Sequence, residues 1–362
     1  MDELRARALL GRAPGVGTAT LRKALLQAGS AAQLLEHPGA LPEPTRAYLA
    51  APPSARIEAD LDWLRASGAR LLDYSCAAYP RSLALLPDAP AVLYVLGELE
   101  ALGLPQIAMV GSRAPTAGAA ASAREIAGEL ARSGLAVTSG LARGIDAASH
   151  QGALEGGGIT LAVCAHGLDL TYPPEHAGLA VRIQRRGALV SELPPGSAPA
   201  GWRFHARNRL ISGLSLATLV VEARRGSGSL ATAAWARRQG RPVLAVPGSI
   251  RSSHASGCHE LLRGGAVLIE GAPDVLRALE FADGKQQLSG FVPKPTDVAP
   301  VSAPLDKAYE MLLDALGFEP ASINTLVERT GLQSGPLSSM LLILELEGRV
   351  APHPGGCYCR LS

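Results

Sequence analysis

The 362-residue chain carries 34 Lys+Arg against 32 Asp+Glu, a formal net charge of +2, with 47% hydrophobic and 18% charged residues. This length accommodates two or three domains and a substantial core, and the composition excludes wholesale disorder and a globally basic, histone-like protein. A local basic groove remains compatible with the balanced total. Only Lys23, Lys285, Lys294 and Lys307 are lysines, and the resulting abundance of arginine alone proves nothing about such a groove.

Residues 1–55 form short Ala/Leu-rich helical segments broken by GRAPGVG (11–17) and APP (51–53), the pattern of a small N-terminal helical domain. Within it, residues 10–36 read as helix, tight Gly turn and helix, the outline of a helix-hairpin-helix or SAM-like unit. Such a turn can offer backbone amides to DNA phosphates, but Gly-containing turns also join helices for structural reasons alone. Here only Arg22 and Lys23 add charge. The segment MDELRARALLGRAPGVG has no long apolar run and no small-residue cleavage site, and no uncharged apolar stretch of about 18 residues follows. Cys76, Cys164, Cys258, Cys357 and Cys359 are odd in number and scattered, as in reduced proteins. The expectation is a soluble, cytoplasmic protein without membrane contact.

Residues 56–283 alternate apolar runs with amphipathic segments and Gly-rich turns. Candidate strands are 106–110, 135–139, 160–164, 188–192, 217–223, 242–246 and 266–270, with helical spacing at 117–133, 144–155, 175–186 and 229–239. Continuous rather than alternating apolar strands separated by helices predict a doubly wound, mostly parallel α/β sheet buried on both faces. Ligands of such sheets bind at the carboxyl ends of the strands, beside helix N-termini.

Three strand ends fit an anion: Gly111-Ser112-Arg113, Ser139-Gly140 with Arg143-Gly144, and Ser227-Gly228-Ser229. Gly and Ser let amides and hydroxyls converge there, and the arginines add planar forks suited to phosphate. Residues 201–251 then hold nine arginines and one acid, Glu222. In WRFHARNR (202–209), aromatics interleave with basic residues, a mixture that suits a single nucleic-acid strand or, read blandly, a helix with Phe204 in the core and arginines in solvent.

Enzymatic signatures are sparse. No G-x-x-x-x-G-K-[ST] occurs, and G-x-G-x-x-G follows no strand. Asp146 and His150, at i and i+4, fit either acid–base chemistry or a local contact. Neither His254, Cys258 and His259 nor His353, Cys357 and Cys359 has the paired spacing of a zinc module. No metal or cofactor is expected. Residues 284–304, with four prolines and no periodicity, read as a linker. Residues 305–362 give three helices and a Gly-rich strand pair, the outline of a winged helix. Ser334, Ser338, Ser339, Glu345 and Glu347 suit phosphate poorly, which favours a protein-contact or regulatory role.

The strings AMVGSRAPTAGAAASAREIA, VTSGLARGIDAASHQGAL, LDLTYPPEH, LVSELPPG, FHARNRLISGLS, VVEARRGSGSLATAAWA and GRPVLAVPGSI, in this order over about 75–280, resemble the DprA (Smf) DNA-processing family. The resemblance implies an extended Rossmann-like core that binds single-stranded DNA without being an enzyme. It also implies a homodimer that loads RecA recombinase onto incoming strands during natural transformation. The family's DNA pocket maps to Arg113 and to Arg207 and Arg209 flanking Asn208, with Phe204 as the stacking aromatic. Some members carry a lysine after the Tyr-Pro pair, where this chain has Pro174 and Glu175; Arg203 is the candidate substitute. The family dimer maps to Leu261, Leu262, Val267 and Leu268.

Two other readings compete. A phosphoribohydrolase-like nucleotide hydrolase would use the same loops with Glu222 or Asp146 as its acid, but its P-G-G-x-G-T-x-x-E loop is replaced by Arg225–Thr232, which holds no acid. A scaffold that binds RecA without DNA conflicts with the arginine-rich strand ends.

Overall fold

In a computed structural model, residues 2–282, 307–317, 320–346, 349–353 and 355–361 are described. The expected linker 284–304 and Glu347 lie outside the described residues.

Five helices open the chain: α1 (Glu3–Arg12), α2 (Thr18–Ala28), α3 (Ala31–Glu36), α4 (Glu43–Ala50) and α5 (Ser54–Ser67). Their apolar faces, including Leu9, Leu25, Leu34, Ile57 and Leu61, share one continuous core with Leu71, Tyr94 and Leu189 of the sheet that follows. Arginines fasten them in place. Arg12 donates to Asp60 Oδ1 at 2.7 Å and to the Pro195 carbonyl at 2.7 Å, and Arg7 Nε pairs with Asp73 at 2.6 Å. Arg22, a basic residue of the helix-turn-helix segment, donates to the Leu86 carbonyl at 2.6 Å and lies over the Tyr74 ring. It is thereby engaged with the core.

The main sheet comprises β1 (Arg70–Asp73), β2 (Val92–Gly97), β3 (Gln106–Val110), β4 (Ala136–Ser139), β5 (Thr160–Val163), β6 (Ala188–Ser191), β7 (Ala217–Val220), β8 (Val243–Ala245) and β9 (Val267–Leu268). Their order is β1-β2-β6-β5-β4-β3-β7-β8-β9, with β2 antiparallel to both of its neighbours, β1 and β6, and every other pairing parallel. All seven expected strands are present. β1 and β2 are not among them, because only the four-residue α6 (Arg81–Ala84) lies between them and no βαβ rhythm marks them.

Crossover helices cover both faces: α7 (Ala117–Arg132), α8 (Ile145–Glu155), α9 (Ala177–Arg186), α10 (Gly201–Leu214), α11 (Gly228–Arg238), α12 (Ser256–Arg263) and α13 (Ala272–Ala282). Successive strand residues point to opposite faces. Ile107 and Met109 of β3 therefore meet Ile126, Leu130 and Val275, while Ala108 and Val110 share the other core with Leu210, Ile211, Ala233 and Leu261. Both faces are buried, hence the uninterrupted apolar strands.

The C-terminal part contains α14 (Lys307–Leu316), β10 (Ala321–Ser322), α15 (Ile323–Thr330), α16 (Ser334–Leu346), β11 (Val350–His353) and β12 (Cys357–Arg360), with sheet order β10-β12-β11. Three helices around Leu312, Leu326, Leu337 and Leu341, closed by a small antiparallel sheet, make a winged helix. No described helix is long and apolar enough to cross a membrane.

Candidate nucleic-acid interface

Strand order reverses at β3, with β4, β5 and β6 on one side and β7, β8 and β9 on the other. This is the switch point where doubly wound sheets open a crevice. The loops after β3, β4 and β7 are tied together there: Ser112 N–H donates to the Glu222 carbonyl at 2.8 Å, and Ile145 N–H to the Ser112 carbonyl at 3.0 Å. Gly144 has φ +77°, and a Cβ there would lie 2.3 Å from the Ser112 oxygen, so this crossing requires glycine. Above the loops lies a cleft of about 750 Å³ whose lining includes Gly111, Ser112, Arg113, Phe204, Ser227 and Ser229.

One wall is aromatic and cationic. Phe204, on the first turn of α10, packs against Tyr172 with ring centroids 5.6 Å apart and planes at 49°. Tyr172 is 43% exposed. The exposed Arg113 guanidinium stands 5.4 Å from the Phe204 centroid and has no carboxylate partner among the described residues. Opposite, α11 begins at Gly228, and Asn208 Nδ2 donates to the Gly228 carbonyl at 3.2 Å, joining α10 to this helix start.

Arg207 reaches the cleft from beneath. It is 5% exposed, and its Nη1 donates to the carbonyls of Gly140 (2.7 Å) and Val163, closing the ends of β4 and β5 onto α10. Burial pulls the guanidinium below its ordinary value, and the nearby Asp146 opposes that. Asp146 is itself pushed up by burial, against Arg207 and the amides of Gly140 (3.1 Å) and Ala142 (3.3 Å) that donate to it. Between these amides, Leu141 adopts φ +59° with its side chain buried, and its carbonyl meets His176 Nδ1 at 2.8 Å. A left-handed leucine costs about 1–2 kcal/mol and persists because its surroundings fix it.

A family model described as DNA recombination-mediator protein A matches residues 70–280, from β1 almost to the end of α13. The chain belongs to that family. A second model, the DprA winged helix domain, matches residues 295–356. Over 314 residues the chain is 39% identical to Protein Smf of Escherichia coli, covering 85% of this chain and 82% of that protein. It is similar to the solved structure of DprA from Streptococcus pneumoniae, with a TM-score of 0.67, 31% identity, and coverage of 76% of this chain and 98% of that one. It is also similar to DprA from Helicobacter pylori, a structure described for its single-stranded DNA binding mode (TM-score 0.54, 28% identity, 59% and 96% covered).

In this DprA-family chain, nine residues expected at the site line the cleft: Gly111, Ser112 and Arg113; Phe204, Arg207 and Asn208; Ser227, Gly228 and Ser229. The others lie around it. Ser139 is buried and donates to the Met109 carbonyl at 2.6 Å. Gly140 sits behind Arg207, and Gly144 serves the backbone crossing. Arg143 reaches solvent but is ion-paired with Glu175, the acid that occupies the departure after the Tyr-Pro pair. Arg209 does not line the cleft. Two residues past Arg207 it points about 200° around the helix, where it pairs with Asp88 (3.3 Å) and Glu192. Arg203 also turns aside, over the Trp202 ring and onto the Ala198 carbonyl. The lining also includes Tyr172, His205 and Arg224, which were not among the expected residues, and Asp146, the candidate acid of the hydrolase reading. Tyr172 stands inside the LDLTYPPEH string, but its pairing with Phe204 depends on tertiary packing.

Of the two acids named for a hydrolase reading, Asp146 lines the cleft and accepts from the Gly140 and Ala142 amides, and Glu222 is engaged outside the lining. Glu222 accepts from Thr116 N–H (3.2 Å) and Oγ1 (2.7 Å) and faces His254 Nδ1 at 3.3 Å. His254, Cys258 and His259 have separate partners, and no cluster of three metal-ligating side chains occurs among the described residues. Of the expected dimer residues, Leu261 is 6% exposed within the core and Leu262 is partly buried. Val267 and Leu268 are 45% and 49% exposed on β9, the last strand of the sheet.

Proposed function

We propose that the switch-point cleft binds single-stranded DNA without reading its sequence, and that the protein is a strand-binding mediator rather than an enzyme. The observation that carries this reading is Arg113, a cation free of carboxylates among the described residues, beside the Phe204–Tyr172 pair. Arginine holds any phosphate and an aromatic face stacks any base, which is the chemistry of sequence-independent strand binding. Membership of the family supports it, as does the single-stranded DNA binding described for the Helicobacter pylori relative.

In this reading the protein acts in the cytoplasm as a homodimer joined near β9, protects incoming strands and helps load RecA during natural transformation. Fluorescence anisotropy of a labelled single strand across a salt series, with a duplex control and Arg113→Ala, tests the cleft. Preference for the single strand with a weaker, less salt-dependent Arg113→Ala supports it. Equal behaviour of variant and wild type, or release of a nucleotide product, rejects it.

A further inference from the structure

The loop after β7 sends two consecutive arginines in different directions. Arg225 turns towards Glu260 of α12, at 3.9 Å. Arg224 lines the cleft, with its Nη2 hydrogen-bonded to Nε2 of His254 in the turn Ser253–Ala255. The other ring nitrogen of His254, Nδ1, lies 3.3 Å from Glu222 Oε1. Glu222 is buried and fixed from the far side by the Thr116 amide and hydroxyl.

Donor and acceptor chemistry sets the protons in this chain. A guanidinium only donates, so Nε2 must accept from it, and Nδ1 then carries the hydrogen directed at Glu222. His254 is thus a neutral bridge between a buried carboxylate and an exposed guanidinium. One N–H of Arg224 is fixed by the ring while the rest of its fork stays available to an anion. No carboxylate pairs with Arg224 among the described residues, unlike Arg143 and Arg225.

We propose that Arg224 is a phosphate contact of the cleft, positioned by His254 and, through it, by Glu222. The inference rests on the cleft being the single-stranded DNA site.

The test measures anisotropy of fluorescein-labelled oligothymidylate with the full chain over a salt series, comparing Arg113→Gln, Arg224→Gln, His254→Leu and His254→Gln. Arg224→Gln should weaken binding several-fold and flatten the log–log salt slope by about 0.7, one phosphate contact on a single strand. His254→Leu should lose part of that affinity. His254→Gln, whose amide can donate to Glu222 and accept from Arg224, should restore both the affinity and the slope. If Arg113→Gln weakens binding but Arg224→Gln matches wild type, Arg224 is no contact and the inference falls while the cleft stands. If both match wild type, the cleft reading itself falls. Glutamine behaving like leucine at position 254 overturns the bridge.

Discussion

Arg207 Nη1 donates to the Gly140 carbonyl at 2.7 Å from the opposite side of the sheet edge, so one buried guanidinium closes the floor of the cleft. With a second bond to the Val163 carbonyl and no carboxylate in ion-pair range among the described residues, its main action is to hold two strand ends together.

Arg207→Ala should therefore act on folding as well as on DNA. It strands two buried carbonyls and opens a cavity, a loss of about 2–4 kcal/mol. Arg113→Ala, at an exposed position, should alter stability by less than about 0.5 kcal/mol and weaken strand binding. Urea unfolding of the two variants separates the roles. Wild-type stability in Arg207→Ala would refute the clamp.

Removing an aromatic should weaken binding without regard to base identity. Phe204→Ala is expected to cost about 1–3 kcal/mol if it stacks one base, and Phe204→Tyr much less. Tyr172→Ala, which leaves Phe204 without its neighbour at 5.6 Å, should follow in the same direction. Affinities for thymidylate, cytidylate and adenylate oligomers should fall in parallel; a loss confined to one base would indicate a reading pocket.

For self-association, Leu268→Asp on the exposed end strand should shift a dimer to monomer in analytical ultracentrifugation while the fold remains intact. Leu261→Asp should instead unfold the protein, because that side chain lies in the core beside Ala236 and Cys258. An undisturbed dimer in Leu268→Asp would remove β9 from the interface.

Acid should destabilise the core through His150. Burial depresses this imidazole to about 3, and its Nδ1 lies 2.7 Å from Thr160 Oγ1. A depressed histidine is neutral in the folded state while the unfolded chain takes up its proton first. Its contribution is complete above the unfolded value of about 6.5 and is lost as pH falls from there towards the folded value, on the order of a few kcal/mol in all. His150→Gln should flatten the stability profile across this window in urea titrations. An unchanged slope would place the acid sensitivity elsewhere.

The parts of the fold legible in the sequence are those governed by local chemistry. Strands buried on both faces announce themselves as apolar runs, and the Gly/Ser turns after β3 and β7 mark the crevice. β1 and β2 lack the intervening helix that gives the others their rhythm. At the site, chemistry-bearing residue types were legible but their partners were not. Arg113 and Arg143 look alike in sequence, yet among the described residues only the second meets an acid, Glu175, 32 residues away. Arg207 and Arg209 share one motif, and helical geometry sends them to opposite sides.

Three consecutive residues of α10 each grip a different neighbour: Arg207 the ends of β4 and β5, Asn208 the start of α11, and Arg209 the acids Asp88 and Glu192. Spaced about 100° apart around the axis, these grips leave the helix no direction in which to roll. Phe204, one turn earlier on the same rod, inherits that fixity. With the cleft as the proposed strand site, capture should need no roll of this helix, so the association rate should follow diffusion and electrostatic attraction, and differences between strands should emerge in how long each one stays.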